Sequence, residues 1–214
     1  MIAIHSANLG SFDTVQEPKQ QTIPCEYHCF TDTDFPPITG LTPRLQYRIP
    51  KTHSWQMKPG YPYYIWLDGS VTFERDDCAK YYLDQLGDND IAFFKHPFGR
   101  RKIRHEVAHI EEHLQQGKPY ITSRYKNGLH KELLQEIQAS GYKDRVLYAS
   151  TTFIYRNTYD VQQFMKDWLY SSVRYFTCDQ VALPWLLHYK HRLKVATMNE
   201  TLFKSGYTSL VSHH

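Results

Sequence analysis

The sequence predicts an α/β domain whose mixed, mostly parallel sheet is covered by helices on both faces. Three observations carry that reading. Short apolar runs of strand length alternate with longer runs of helical periodicity. The run Tyr63-Tyr64-Ile65-Trp66-Leu67 is apolar without interruption, as in a strand buried on both faces. Two strand runs end on acidic turns, Asp32 after Tyr27–Thr31 and Asp68-Gly69-Ser70 after Leu67. Sheets of this kind gather ligands at the carboxyl ends of their strands.

The elements follow in order. Met1–Ser6 reads as the first strand and Tyr27–Thr31 as the second. Thr33–Pro43, rich in Pro and Thr, reads as a loop. After the strand Tyr63–Leu67 and its turn, Ile91–Lys95 is another short strand. Arg104–Gln116 reads as a helix ending near Gly117-Lys118-Pro119, and His130–Ser140 as a second one closed by Gly141. Val146–Tyr155 is strand-like and Val161–Tyr175 is an amphipathic helix. Asp179–His191 reads as a helix entered from Thr177, with Pro184 in or near its first turn, where proline is tolerated. Leu193–Met198 is a last strand.

A chain of 214 residues suits a single domain over 1–214, with a tail from about residue 205. A net charge of +3 is too small to indicate nucleic acid as a partner. The four cysteines, Cys25, Cys29, Cys78 and Cys178, form no CxxC pair and suit a reducing compartment. No run approaches the roughly 18 apolar residues of a membrane span, and the N-terminus lacks a signal-peptide pattern. The expected location is cytoplasmic. Aromatics make up 15% of the chain, with 17 Tyr. Their flat faces and polar handles suit stacking on bases or sugars as well as ordinary packing.

Five constellations could carry chemistry. Asp68-Gly69-Ser70, at a strand tip, could hold Mg²⁺ or Mn²⁺, which take oxygen ligands, although Asp-Gly is also an ordinary turn. Arg44, Arg48 and Lys51 could neutralise a diphosphate or form a solvated basic face. Lys95-His96-Pro97 with Arg100, Arg101 and Arg104 offers a second basic clamp. His105-Glu106-x-x-His109 matches the helical zinc-peptidase pattern, in which two His share one face and Glu activates water. Asp179 and Gln180, after Phe176-Thr177-Cys178, could cap a helix or meet a sugar.

The order of these blocks resembles a plant and microbial glycosyltransferase-like family that includes proteins of pectin and mucilage synthesis. Tyr64–Gly69 is similar to its SIWIDG block, and Arg44-x-x-x-Arg48-Ile49-Pro50-Lys51 to its Arg-x-x-x-Lys-Ile-Pro-Lys block. Lys95–Glu106 resembles its His-containing block, Phe176–Gln180 its Phe-Thr-x-Arg-Asp-Gln block, and the first strand through Asp13 its TAIFGGYD block. The compact size is similar to that of the capsid-glycosylating transferase domains of large algal viruses.

The resemblance implies a GT-A-like α/β/α sandwich that transfers a hexose or deoxyhexose, such as glucose or rhamnose. The donor would be a UDP-sugar, the acceptor a glycan or glycoprotein, and the cofactor Mn²⁺ or Mg²⁺. It implies a metal at Asp68, with Ser70 where the family's second acid stands. Ala7, Asn8 and Leu9 would lie near base and ribose, and Asp32 at the uracil or ribose edge. Trp66 and Gly69 would belong to the donor site, and Arg44, Arg48 and Lys51 would meet phosphate. His96, Glu106, Asp179 and Gln180 would line the sugar and acceptor side. A zinc metallopeptidase, a non-catalytic sugar-binding module and a nucleotide-diphosphate hydrolase are the alternatives.

Overall fold

The computed structural model describes residues 1–125, 127–176 and 179–211. Thr177 and Cys178 of the Phe176–Gln180 block, and Ser212, His213 and His214 of the expected tail, lie outside the described residues. The elements run β1 (Ile2–Asn8), β2 (Cys25–Thr31), α1 (Pro43–Met57), β3 (Tyr63–Leu67), β4 (Val71–Phe73) and α2 (Cys78–Leu86). They continue with β5 (Ile91–Lys95), α3 (Ile103–Gln115), α4 (Pro119–Tyr125), α5 (Leu129–Ala139) and β6 (Tyr148–Arg156). Last come α6 (Tyr159–Tyr175), α7 (Asp179–Trp185), a π-helical turn Leu186–Lys190, β7 (Val195–Thr197), a 3₁₀ turn Leu202–Lys204 and β8 (Thr208–Leu210).

Six strands form one sheet in the order β2-β1-β3-β6-β5-β7. The pairs β1–β2, β1–β3 and β5–β7 are parallel, whereas β6 is antiparallel to both β3 and β5. The sheet is therefore mixed and largely parallel, with one reversed strand at its centre. Alternate residues divide between two cores. Ala3, Ala7, Tyr64, Trp66, Ile91 and Phe93 belong to one, and Ile2, Ile4, Ile65, Leu67, Ala92 and Phe94 to the other. Both faces are thus dry, which is why the strand runs are apolar at consecutive positions. The first core takes in buried residues of α3, α5, α6 and α7, and the second those of α2. The strand ends Asn8, Asp68 and His96, and the reversed start of β6, consequently meet at one edge of the sheet.

Several elements depart from the sequence expectations. α1 was hidden by Pro50, which removes a helix hydrogen bond and ordinarily costs about 3 kcal/mol inside a helix. Its start is well marked all the same: Thr42 Oγ1 accepts from Leu45 N at 3.4 Å, and Pro43 fills the first turn. α1 buries Gln46, Lys51, Thr52 and Ser54, a polar stripe that gives no amphipathic signal. Pro184 lies near the end of α7 rather than in its first turn, and the π-helical turn follows it directly. The start of α3 is capped from afar, by the Asp144 carboxylate on Ile103 N (2.9 Å) and Arg104 N (3.1 Å). Within the expected tail, Thr208–Leu210 instead pairs antiparallel with β4, and Val211 N donates to Ser70 O at 2.7 Å.

His5, on β1, is buried among Phe30, Tyr64 and His28, and its Nδ1 has no hydrogen-bond partner among the described residues. Burial, aided by His28 and Lys58, lowers its pKa to about 3. The unfolded chain therefore binds a proton at this residue below pH 6.5 that the folded chain refuses. Stability from this residue is complete above pH 6.5 and is lost as pH falls toward 3. In urea titrations between pH 6 and 4.5, His5→Phe is expected to reduce the fall in stability by up to about 1.4 kcal/mol per pH unit. An unchanged slope would show that His5 is not desolvated.

Candidate active site

The strand edge opens into a cavity of about 640 Å³. Of the residues singled out from sequence, Asn8, Leu9, Arg44, Arg48, Asp68, Ser70, His96, Glu106, Asp179 and Gln180 line it. Ala7 and Trp66 are buried in the core behind it. Asp32 is not in the wall: its Oδ1 accepts from Gly10 N at 2.8 Å, holding the loop after β1. Gly10 and Ser11 both have positive φ in that loop. Asn8 closes it, accepting from Asp13 N at 3.0 Å and donating to Asp13 O at 2.7 Å.

That loop brings in a carboxylate the sequence reading did not assign. A Cβ at Gly69 would lie 2.7 Å from both Asp13 Oδ2 and Ala7 O. Gly69 is therefore required by close packing, and Asp13 is a neighbour of the Asp68 turn. Asp13 closes the first family-like block, which was the signal available for it.

The polar centre is an ion-pair chain. Lys51 Nζ lies 2.9 Å from Asp68 Oδ1 and 2.7 Å from Asp179 Oδ2, and Arg48 Nη1 lies 2.7 Å from the same Asp179 oxygen. Lys51 is only 1% exposed and does not line the cavity. The expectation that it meets phosphate is thereby corrected: its ammonium is taken up by two carboxylates. Asp68 Oδ1 also accepts from Tyr47 OH (2.8 Å) and Trp66 Nε1 (2.7 Å). No described donor reaches its Oδ2. Burial would raise the Asp179 carboxyl, but Arg48, Lys51 and a Ser150 hydrogen bond outweigh it and hold Asp179 well below the usual range. Trp168 Nε1 donates to Asp179 O at 3.0 Å and anchors this residue at the head of α7. Gln180 Nε2 donates to Tyr148 O at 3.4 Å, tying α7 to β6.

Glu106 forms the other end. Arg100 Nε donates to its Oε2 at 2.5 Å, and His96 Nε2 is 4.0 Å from that oxygen. Burial raises the Glu106 carboxyl against the opposing pull of Arg100, and Asp179 raises it further. Burial, with Arg100 and His109, lowers His96 to about 4, so its ring is neutral near pH 7. Two carboxylates of one cavity are thus driven in opposite directions. Toward the rim, Arg44 and Arg124 both lie over the ring of Tyr120, at 5.6 and 3.2 Å from its centroid.

The zinc-peptidase arrangement does not form. His105 is exposed and Glu106 is held by Arg100. Among the described residues, the metal-competent group of three is His109, Glu112 and His113, whose ligand atoms lie within 4.8 Å of one another. That group could coordinate a metal, but His105 is not part of it. For Mg²⁺ or Mn²⁺ the fitting donors are elsewhere. Asp13, Asp68 and Ser70 line the cavity with side-chain oxygens, the ligand type these ions take.

Fold and cavity together define an α/β protein with a carboxylate- and arginine-lined pocket at the strand ends. No protein-family model matches the chain, and no curated protein matches it. Among solved structures, that of mouse xyloside xylosyltransferase 1 in its apo form is similar to 81% of this chain at 10% identity, with a TM-score of 0.42. The similar region spans 62% of that protein's chain. This likeness concerns the course of the backbone alone. None of the described helices is long and apolar enough to cross a membrane.

Proposed function

We propose that this protein is a glycosyltransferase that moves a hexose or deoxyhexose from a UDP-sugar to a glycan or glycoprotein acceptor. The observation that carries this reading is the convergence on one cavity of residues from all five family-like blocks: Asn8, Arg48, Asp68, Glu106 and Asp179 among them. Uridine and the sugar come from the resemblance of those blocks.

In this reading Asp68, Asp13 and Ser70 would hold Mn²⁺ or Mg²⁺, which when bound would supply positive charge for the donor diphosphate. Arg48 and Arg44 line the cavity as further cations for that charge. The bond between the anomeric carbon and the diphosphate oxygen breaks, its electron pair leaving with UDP. The acceptor oxygen forms the new bond to that carbon, and its proton passes to the Glu106 carboxylate. A raised carboxyl pKa makes Glu106 the better proton acceptor of the two buried acids. Asp179, held ionised, positions Arg48 and Lys51. The His96 ring, neutral near pH 7, receives a hydrogen bond from Arg100 Nη2 at 3.1 Å and helps fix the guanidinium beside Glu106.

Calorimetry with UDP, GDP, CDP and TDP, with and without Mn²⁺, tests the reading. UDP is expected to bind best and only with the metal. Asp68→Asn keeps an oxygen for Lys51, Tyr47 and Trp66, so it should fold, but it removes the charge at Oδ2. Metal-dependent UDP affinity is expected to fall on the order of 100-fold. Equal binding of GDP, full affinity in EDTA, or an unaffected Asp68→Asn variant would sink the proposal.

A further inference from the structure

A second cavity, of about 740 Å³, adjoins the first and shares His96, Pro97 and Arg100 with it. Its lining includes four cations, Lys95, Arg100, Arg101 and Arg145, against one acid, Glu200. Arg100 is committed to Glu106. Lys95, Arg101 and Arg145 make no ion pair among the described residues. The carboxylate next to Arg145 in the chain is engaged elsewhere: Asp144 accepts the Ile103 and Arg104 N–H groups at the start of α3. Glu200, exposed in the cavity wall, is one acid against these cations.

Three unpaired cations around one concavity repel one another and raise the local potential, and a bound anion relieves both effects. Two of the three are arginines, whose planar donor forks match carboxylate and phosphate oxygens. Thr197, Asn199 and Thr201 add side chains able to hydrogen-bond hydroxyl groups. The shared wall fixes where such a ligand would lie. Arg100 and His96 belong to both cavities and are 2.5 and 4.0 Å from the Glu106 carboxylate. A saccharide anchored by an anionic group in the second cavity would have its hydroxyls next to Glu106.

We propose that the second cavity binds an anionic group of the acceptor, a carboxylate or phosphate carried on the saccharide that is glycosylated. This rests on the transferase reading for the word acceptor, but not for the anion site itself. The donor diphosphate is assigned to the Asp68–Arg48 end, so the two charged groups occupy different cavities.

The test uses D-glucuronate and inorganic phosphate as probes, with D-glucose as the neutral control, titrated by NMR and calorimetry. At least one anion is expected to bind the wild-type protein and glucose is not, and added salt should weaken the binding. The exposed pair Arg101→Ala/Arg145→Ala should weaken it by about tenfold or more, with melting temperature and Mn²⁺-dependent UDP binding unchanged. A stronger response to glucuronate assigns a uronate acceptor, and a stronger response to phosphate a phosphorylated one. No anion binding, or binding equal in the double variant, overturns the proposal even if UDP binds normally. Anion binding without any UDP binding would leave an anion site but overturn its assignment to an acceptor, and with it the transferase reading.

Discussion

Glu106→Gln is expected to lower kcat for sugar transfer by about 10²- to 10⁴-fold, the range for losing a positioned base. Gln retains the shape and an oxygen for Arg100 Nε, so folding and Mn²⁺-dependent UDP binding should persist. The pH profile separates a base from a structural residue. With the Glu106 carboxyl raised by burial, the wild-type rate should climb with pH through a limb above the ordinary carboxylate range. The rate is lost as pH falls and Glu106 takes up its proton. In Glu106→Gln that limb should be absent and the residual rate flat. A variant that retains both the limb and most of the rate would move the base elsewhere in the cavity.

Asp179→Asn is expected to cost stability as well as activity. Asp179 is 5% exposed and is the shared partner of Arg48 and Lys51. Neutralising it leaves a fully buried ammonium with Asp68 as its one remaining carboxylate. Breaking a buried ion pair from one side costs about 3–5 kcal/mol, far above the roughly 1 kcal/mol of a lost helix cap. Transfer should also fall, by about 100-fold or more, because Arg48 loses its anchor at the cavity wall. A double-mutant cycle with Lys51→Met reads the coupling directly. The double variant should be less destabilised than the sum of the singles by about 1–3 kcal/mol. Strict additivity, or a stability loss no larger than that of a cap, would show that the three charges do not act as a unit.

The positions of Asp68 and Glu106 were legible from the chain itself. Asp68 closes an uninterrupted apolar run, and Glu106 lies in Arg104–Gln116, a stretch that reads as a helix ended by Gly117-Lys118-Pro119. Their roles were less legible. The same five-residue motif that suggested zinc, His105-Glu106-x-x-His109, has Glu106 in the cavity wall and His105 in solvent. Arg100 is the reason, since it binds Glu106 from outside the motif. The basic segment Arg44–Lys51 was recognised as charged but not as a helix, because Pro50 and a buried polar stripe erase the usual pattern.

The sequence alone determined the α/β class, the apolar strands and the acidic turns at their ends. These follow from local periodicity and turn chemistry, which a strand or helix carries within its own few residues. The tertiary structure decided the reversal of β6, the approach of Asp13 to Gly69, and the pairing of Arg48 with Asp179 across 131 residues. It also made Lys51 an internal counter-ion instead of a surface cation. Such contacts depend on which distant segments share a buried space, where low polarity makes each unpaired charge costly and so selects its partner. No local pattern encodes that choice.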